Sequence, residues 1–167
     1  MINKAIKHVK DIIVRNYKYN VEDLNSAKFL IIYDNNSTLS KLLFEAYKSV
    51  LPAATHVDYY AQDPELIKDS LSNFKTGDLV ILIQSSSFRM SNFRWRLELF
   101  NLGMAVIEHG HLGSNKDEEI ENYLDSLEYQ GEYYEKATNY LKPLLEKSGK
   151  IEVECEGTKL VYEGGMD

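Results

Sequence analysis

Continuous apolar runs and amphipathic stretches alternate along this chain. Residues 29–33 and 79–84 are almost entirely Val, Ile, Leu and aromatic residues. Such runs predict strands buried on both faces, which is typical of parallel sheets. Residues 55–60 and 104–109 predict two further, less apolar strands. The chain therefore carries four predicted strands before residue 110.

The segments around these strands predict helices, because their apolar residues recur every three or four positions. Helices are expected over residues 2–17, after a cap near Ser37, from Pro64 towards Phe74, after a cap at Ser91 or Asn92, and over residues 117–128 and 131–147. Strands that alternate with helices predict an α/β fold. We expect a Rossmann-like, doubly wound, mainly parallel sheet of about four strands in the order 2-1-3-4, flanked by helices.

The C-terminal segment has a different pattern. Residues 151–155 and 159–162 alternate between apolar and polar positions, which predicts a β-hairpin. We therefore divide the chain into an α/β domain, residues 1–149, and a hairpin tail, residues 150–167. A lone hairpin is marginally stable in water. It either pairs with a sheet edge or forms the start of a missing C-terminal domain.

Charge and composition narrow the function classes. The net charge of −7 opposes binding to nucleic acids and to anionic membranes. No apolar run approaches the roughly 20 residues that span a bilayer. The single cysteine, Cys155, has no partner for an internal disulfide, and the charged N-terminus does not resemble a signal peptide. We expect a cytoplasmic protein.

Polar loops follow the first and third predicted strands. In the order 2-1-3-4 these strands are neighbours, and their carboxyl ends form the crevice in which this architecture usually binds ligands. Serine hydroxyls, backbone amides and a guanidinium suit a phosphorylated or carboxylated ligand. The alternative is that the serines only cap the strand end. The candidate ligand-binding residues are Asp34, Asn35, Ser37, Ser85, Ser86, Ser87 and Arg89.

Two histidines follow the fourth predicted strand. His109 and His111 are two positions apart, so on an extended segment their side chains point to the same side. They are candidate metal ligands, although a zinc site needs three or four ligands.

The segments 85–94, 97–103 and 107–112, together with the tail 160–165, resemble the N-terminal region of aminopeptidase T-like, leucyl aminopeptidase-related metallopeptidases. The resemblance spans roughly residues 28–167. It implies an α/β domain that precedes a catalytic domain with a two-metal centre of Glu, His and Asp, which removes N-terminal amino acids from peptides. Those ligand motifs have no counterpart in this sequence. The resemblance therefore implies a divalent metal for the parent family but no cofactor and no catalytic residue in this chain.

Three functions are consistent with these observations. The first is an N-terminal, non-catalytic α/β domain of an aminopeptidase-like metallohydrolase, which shapes a cleft or an oligomer and is inactive alone. Its partner would be a second copy or the missing C-terminal catalytic domain. The second is a stand-alone small-molecule or anion-binding module that uses the loop from Ser85 to Arg89. The third is a protein-interaction module, since twelve tyrosines provide amphipathic surface.

Overall fold

The computed structural model describes residues 1–16, 28–90 and 93–164. It divides the chain into two compact units, Met1–Tyr129 and Gln130–Asp167. The sequence pattern predicts a division at residue 150, whereas the two compact units divide before the last helix. The second unit therefore contains that helix together with the C-terminal hairpin.

The elements of the first unit follow the expected alternation. In chain order they are α1 (Ile2–Asp11), a π-helical turn (Ile12–Asn16), β1 (Phe29–Tyr33), α2 (Thr38–Val50), β2 (Thr55–Asp58), α3 (Pro64–Ser70), β3 (Leu79–Ile83), β4 (Arg89–Met90), β5 (Phe93–Arg94), α4 (Trp95–Asn101), β6 (Ala105–His109), two short 3₁₀ turns (Leu112–Ser114 and Asp117–Glu119) and α5 (Ile120–Ser126). The second unit contains α6 (Gly131–Lys147), β7 (Lys150–Cys155) and β8 (Thr158–Glu163).

The main sheet confirms the predicted fold class. Its strand order is β2-β1-β3-β6, and all three pairings are parallel. When the four strands of this sheet are numbered in chain order, the order is the predicted 2-1-3-4. Strands β7 and β8 form the predicted antiparallel hairpin.

The sheet has an apolar layer on each face because side chains alternate along a strand. Phe29 and Ile31 of β1 lie in one cluster, with residues from α1 and α2. Leu30 and Ile32 lie in the other, with residues from α3 and α4. Every residue of β3 is buried. The continuous apolar runs therefore correspond to the two central strands, which are covered on both faces.

Strand β2 is shorter than predicted, and the first helix changes type within its predicted range. Helix α1 ends at Asp11 and a π-helical turn continues from Ile12 to Asn16, while Tyr17 lies outside the described residues. Strand β2 ends at Asp58 because the amide of Tyr60 donates to the Asp58 carboxylate at 3.1 Å and turns the chain.

The predicted start of the helix after β3 is wrong. Strands β4 and β5 pair antiparallel through Arg89 with Arg94 and Met90 with Phe93, and α4 begins only at Trp95. The cap candidates Ser91 and Asn92 lie outside the described residues. Because the chain pairs with itself at this point, α4 does not begin directly after the loop from Ser85 to Arg89, which we call the serine loop.

Among the described residues, no helix has both the length and the apolar character that a membrane crossing needs.

Candidate functional site

The carboxyl ends of β1 and β3 are joined by Asp34 and Ser85. Asp34 is fully buried. Its carboxylate accepts the amide N–H of Ser85 at 2.7 Å and the Ser85 hydroxyl at 2.6 Å. It also accepts the amide N–H of Asn36 at 3.0 Å. A buried carboxylate needs such donors because its loss of hydration is costly.

The start of α2 contributes to the same cluster. Ser37 is the N-cap: its hydroxyl accepts the Ser40 amide at 3.0 Å, and its own amide donates to the Ser40 hydroxyl at 3.2 Å. Both hydroxyl oxygens lie 3.1 Å from the Ser85 hydroxyl oxygen. A helix cap and two strand ends are therefore joined in one network. We call Asp34, Ser37, Ser40 and Ser85 the inner cluster.

The inner cluster contains three of the predicted ligand-binding residues, Asp34, Ser37 and Ser85. The donors of Ser85 that we expected to face a ligand both bind the Asp34 carboxylate instead. Sequence reasoning missed Ser40, although its position three residues after the cap Ser37 is where a capping box places its second polar residue.

The remaining serines of the loop lie nearer to solvent. Ser86 is exposed, and its hydroxyl lies 3.0 Å from the Tyr60 hydroxyl. The hydroxyl of Ser87 lies 3.4 Å from Nε2 of His111. His111 is exposed and has a φ of 58°, which places a non-glycine residue in the left-handed region. We call Tyr60, Ser86, Ser87 and His111 the outer shelf.

Arg89 and Asn35 are held by residues at the end of β2. Tyr59 donates its hydroxyl to the Arg89 carbonyl at 2.6 Å and accepts the Arg89 amide at 3.0 Å. The Tyr59 ring also stacks on Phe88, with centroids 4.0 Å apart. The Asn35 amide donates to the Asp58 carboxylate at 3.4 Å. The Arg89 side chain is left exposed.

The two candidate metal ligands have different surroundings. His109 is buried between two tyrosines, with Nε2 2.7 Å from the Tyr47 hydroxyl and Nδ1 2.9 Å from the Tyr123 hydroxyl. Burial lowers the pKa of His109 from 6.5 to about 4 and raises the pKa of Tyr123 from 10.0 to about 12. A neutral imidazole has one donor and one acceptor nitrogen, so one tyrosine donates to it and the other accepts.

Both ring nitrogens of His109 thus have tyrosine partners, whereas His111 lies in the outer shelf. Within residues 1–16, 28–90 and 93–164, no three or more His, Cys, Asp or Glu side chains are grouped as a metal site would require.

Gln84 connects the serine loop to β6, an edge strand of the main sheet. Its side-chain oxygen accepts the Phe88 amide at 2.6 Å, and its side-chain nitrogen donates to Glu108 at 2.9 Å. Glu108 also pairs with Arg96 at 3.1 Å. Gln84 is buried and was not among our predicted site residues. The sequence does contain a signal for this role of Gln84, because it is the one polar residue at the end of the apolar run 79–84.

Comparisons with known proteins assign no function to this arrangement of residues. No family model, curated protein or solved structure matches the chain. The geometry offers an internally bonded inner cluster and, on the outer shelf, hydroxyl and imidazole groups that are able to hydrogen-bond a polar ligand.

Proposed function

We propose that this chain is a non-catalytic α/β domain of an aminopeptidase-like metallohydrolase and that it forms a rigid wall of a cleft. The resemblance of its loop and tail segments to the aminopeptidase T-like group supports this assignment. In this proposal the metal chemistry belongs to residues outside this sequence, as the resemblance implies.

The bonding between Asp34 and Ser85 is the observation that carries the proposal. A ligand site at the inner cluster would need free donors, but the amide and the hydroxyl of Ser85 both bind the buried carboxylate. Hydrogen bonds to a charged group contribute roughly 1.5–3 kcal/mol each. A network of this kind fixes the ends of β1 and β3 and favours a structural role for the inner cluster.

An activity and metal measurement tests the proposal. The purified chain is incubated with zinc, cobalt or manganese, assayed on a panel of aminoacyl fluorogenic peptides, and analysed for bound metal in the same sample. We expect no turnover above a metal-only control and no stoichiometric metal. Turnover that follows bound metal and disappears with a chelator would overturn the proposal, because two-metal hydrolysis requires ligands that fix both ions.

The outer shelf supports a second candidate function, which is binding of a small phosphorylated or carboxylated ligand. The contact of Ser87 with His111 favours it, since His111 keeps a left-handed backbone that costs of order 1–3 kcal/mol in a non-glycine residue. Such strain is concentrated at binding sites and active sites. The exposed Arg89 side chain would supply the positive charge.

Backbone amide NMR tests this second function with inorganic phosphate and acetate as probes. We expect saturable shifts at Ser86 and Ser87 that weaken in Arg89→Ala. Arg15→Ala, in the π-helical turn that follows α1, is the matched control, because Arg15 is also exposed. Shifts that do not saturate, or that are equally strong in Arg89→Ala, would contradict a specific site.

A further inference from the structure

The polar groups of the outer shelf form two pairs, one toward each edge of the main sheet. Tyr60 follows β2 and pairs with Ser86, with the two hydroxyl oxygens 3.0 Å apart. His111 follows β6 and pairs with Ser87, with Nε2 3.4 Å from the hydroxyl oxygen. Strands β2 and β6 are the two edge strands of this sheet. The shelf therefore runs across the carboxyl ends of the strands, where ligands bind in doubly wound folds.

The hydrogen-bonding capacity that remains on the shelf suits a ligand with hydroxyl groups. Each pair uses one hydrogen and one lone pair, and within the part of the chain that the structure describes these side chains make no other hydrogen bond. Hydroxyls and a neutral imidazole both donate and accept, so more lone pairs than hydrogens remain for a ligand. An ionised carboxylate or phosphate group only accepts hydrogen bonds. A sugar hydroxyl also donates, and the hydroxyls around a sugar ring are able to reach both pairs.

A carboxylate beside the shelf also disfavours a bare anion. Asp58 accepts the Tyr60 amide at 3.1 Å and the side-chain amide of Asn35 at 3.4 Å, which fixes its carboxylate at the end of β2. Its charge repels a second anion at close range. A ligand that meets the shelf through neutral hydroxyls avoids this repulsion.

Tyr60 offers an aromatic ring as well as a hydroxyl. Its ring meets the Tyr59 ring at an interplanar angle of 84°, with centroids 5.1 Å apart, and Tyr59 in turn stacks on Phe88. The ring is thus held in place, although Tyr60 remains 57% exposed. The face of an aromatic ring is electrically negative. It therefore attracts the polarised C–H groups on the face of a sugar ring.

We propose that the outer shelf binds a sugar that carries a phosphate or carboxylate group. The sugar hydroxyls bond to Ser86, Ser87 and His111. The sugar ring lies on Tyr60, and the exposed Arg89 side chain pairs with the anionic group. This inference rests on the second candidate function and narrows its ligand. Because the shelf is open to solvent, we expect dissociation constants on the order of 1 mM.

Backbone amide NMR titrations of the full chain test the ligand class. The probes are glucose 6-phosphate, glucuronate, glucose, inorganic phosphate and acetate. We expect saturable shifts at Ser86 and Ser87 with the two charged sugars, at dissociation constants about tenfold lower than those of inorganic phosphate and acetate. Glucose should bind more weakly than glucose 6-phosphate, because it lacks the charge that pairs with Arg89.

Two variants test the location of the sugar. Tyr60→Ala removes the ring and should weaken binding of glucose 6-phosphate about tenfold, with a smaller effect on inorganic phosphate. Tyr133→Ala is the matched control, since Tyr133 is 67% exposed and lies in the other compact unit. His111→Asn removes the imidazole but keeps a residue that suits the left-handed backbone, and it should also weaken binding. Circular dichroism establishes that the variants remain folded.

The outcomes separate this inference from the function on which it rests. Equal affinities for glucose 6-phosphate and inorganic phosphate would overturn the inference and leave the second candidate function standing. Saturable binding of none of the probes would overturn both. Equal affinities for glucose and glucose 6-phosphate would overturn the anionic group. Unchanged binding of glucose 6-phosphate in both Tyr60→Ala and His111→Asn would contradict the outer shelf as the site.

Discussion

The Asp34 carboxylate accepts both the amide N–H and the hydroxyl of Ser85, at 2.7 and 2.6 Å. These residues are 51 positions apart in the sequence and follow adjacent strands, β1 and β3. Two bonds from one residue fix both the position and the direction of the serine loop. The relationship makes Ser85 a structural residue whose contribution to stability can be measured.

Ser85→Ala should lower the free energy of unfolding by about 1–3 kcal/mol, because the buried carboxylate loses a hydroxyl donor. Urea denaturation measures the change. Ser86→Ala removes an exposed hydroxyl from the same loop and should stay within about 0.5 kcal/mol of the wild type. Equal losses in the two variants would argue against a special role for the bond to Asp34.

Gly113→Ala should also destabilise the serine loop. A Cβ at this position would lie 2.9 Å from the backbone oxygen of Ser85, which is too close for any real contact. Overpacking of this kind typically costs about 1–3 kcal/mol. Gly110→Ala is the matched control, because a Cβ there meets no atom within 4 Å. Thermal denaturation of both variants checks the prediction, and a neutral Gly113→Ala would contradict the close approach.

Gln84→Met should cost about 1–3 kcal/mol of unfolding free energy. The substitution keeps a long side chain but leaves the Phe88 amide without the acceptor that now lies 2.6 Å away. Gln62→Met changes an exposed glutamine and should be nearly neutral. Urea denaturation compares the two. A similar effect at both positions would show that the bond to Phe88 is not responsible.

His109 should make the fold sensitive to acid. Burial lowers its pKa from 6.5 to about 4, so the unfolded chain binds the proton first as the pH falls. The contribution of the neutral imidazole to the free energy of unfolding is fully present above pH 6.5. It is lost as the pH decreases towards 4, which lowers the free energy of unfolding by up to about 3 kcal/mol.

Urea denaturation at several pH values between 6.5 and 4 measures this loss, with His109→Gln as the variant that does not titrate. The variant should lose less stability over the same interval, whereas parallel curves would assign the acid sensitivity to other groups. Tyr123→Phe serves as a further comparison, because it removes the hydroxyl 2.9 Å from Nδ1 without removing the imidazole.

The sequence by itself determined the architecture of this protein. Runs such as Phe29–Tyr33 and Leu79–Ile83 form the two central strands because only a strand covered on both faces can bury consecutive side chains. The doubly wound architecture, which places helices on both faces of the sheet, then predicted the strand order. The alternating pattern after residue 150 also determined the hairpin, because antiparallel pairing places Ile151 beside Tyr162 and Val153 beside Leu160 on one face.

Only the tertiary structure decided what the polar residues do. Ser85 looked like a ligand donor in the sequence, but its donors bind a carboxylate 51 positions away. His109 looked like a metal ligand, but its nitrogens lie beside tyrosines 62 and 14 positions away. Local patterns fix strands and helices because those depend on near neighbours. The partner of a polar side chain depends on which distant segments the sheet brings together.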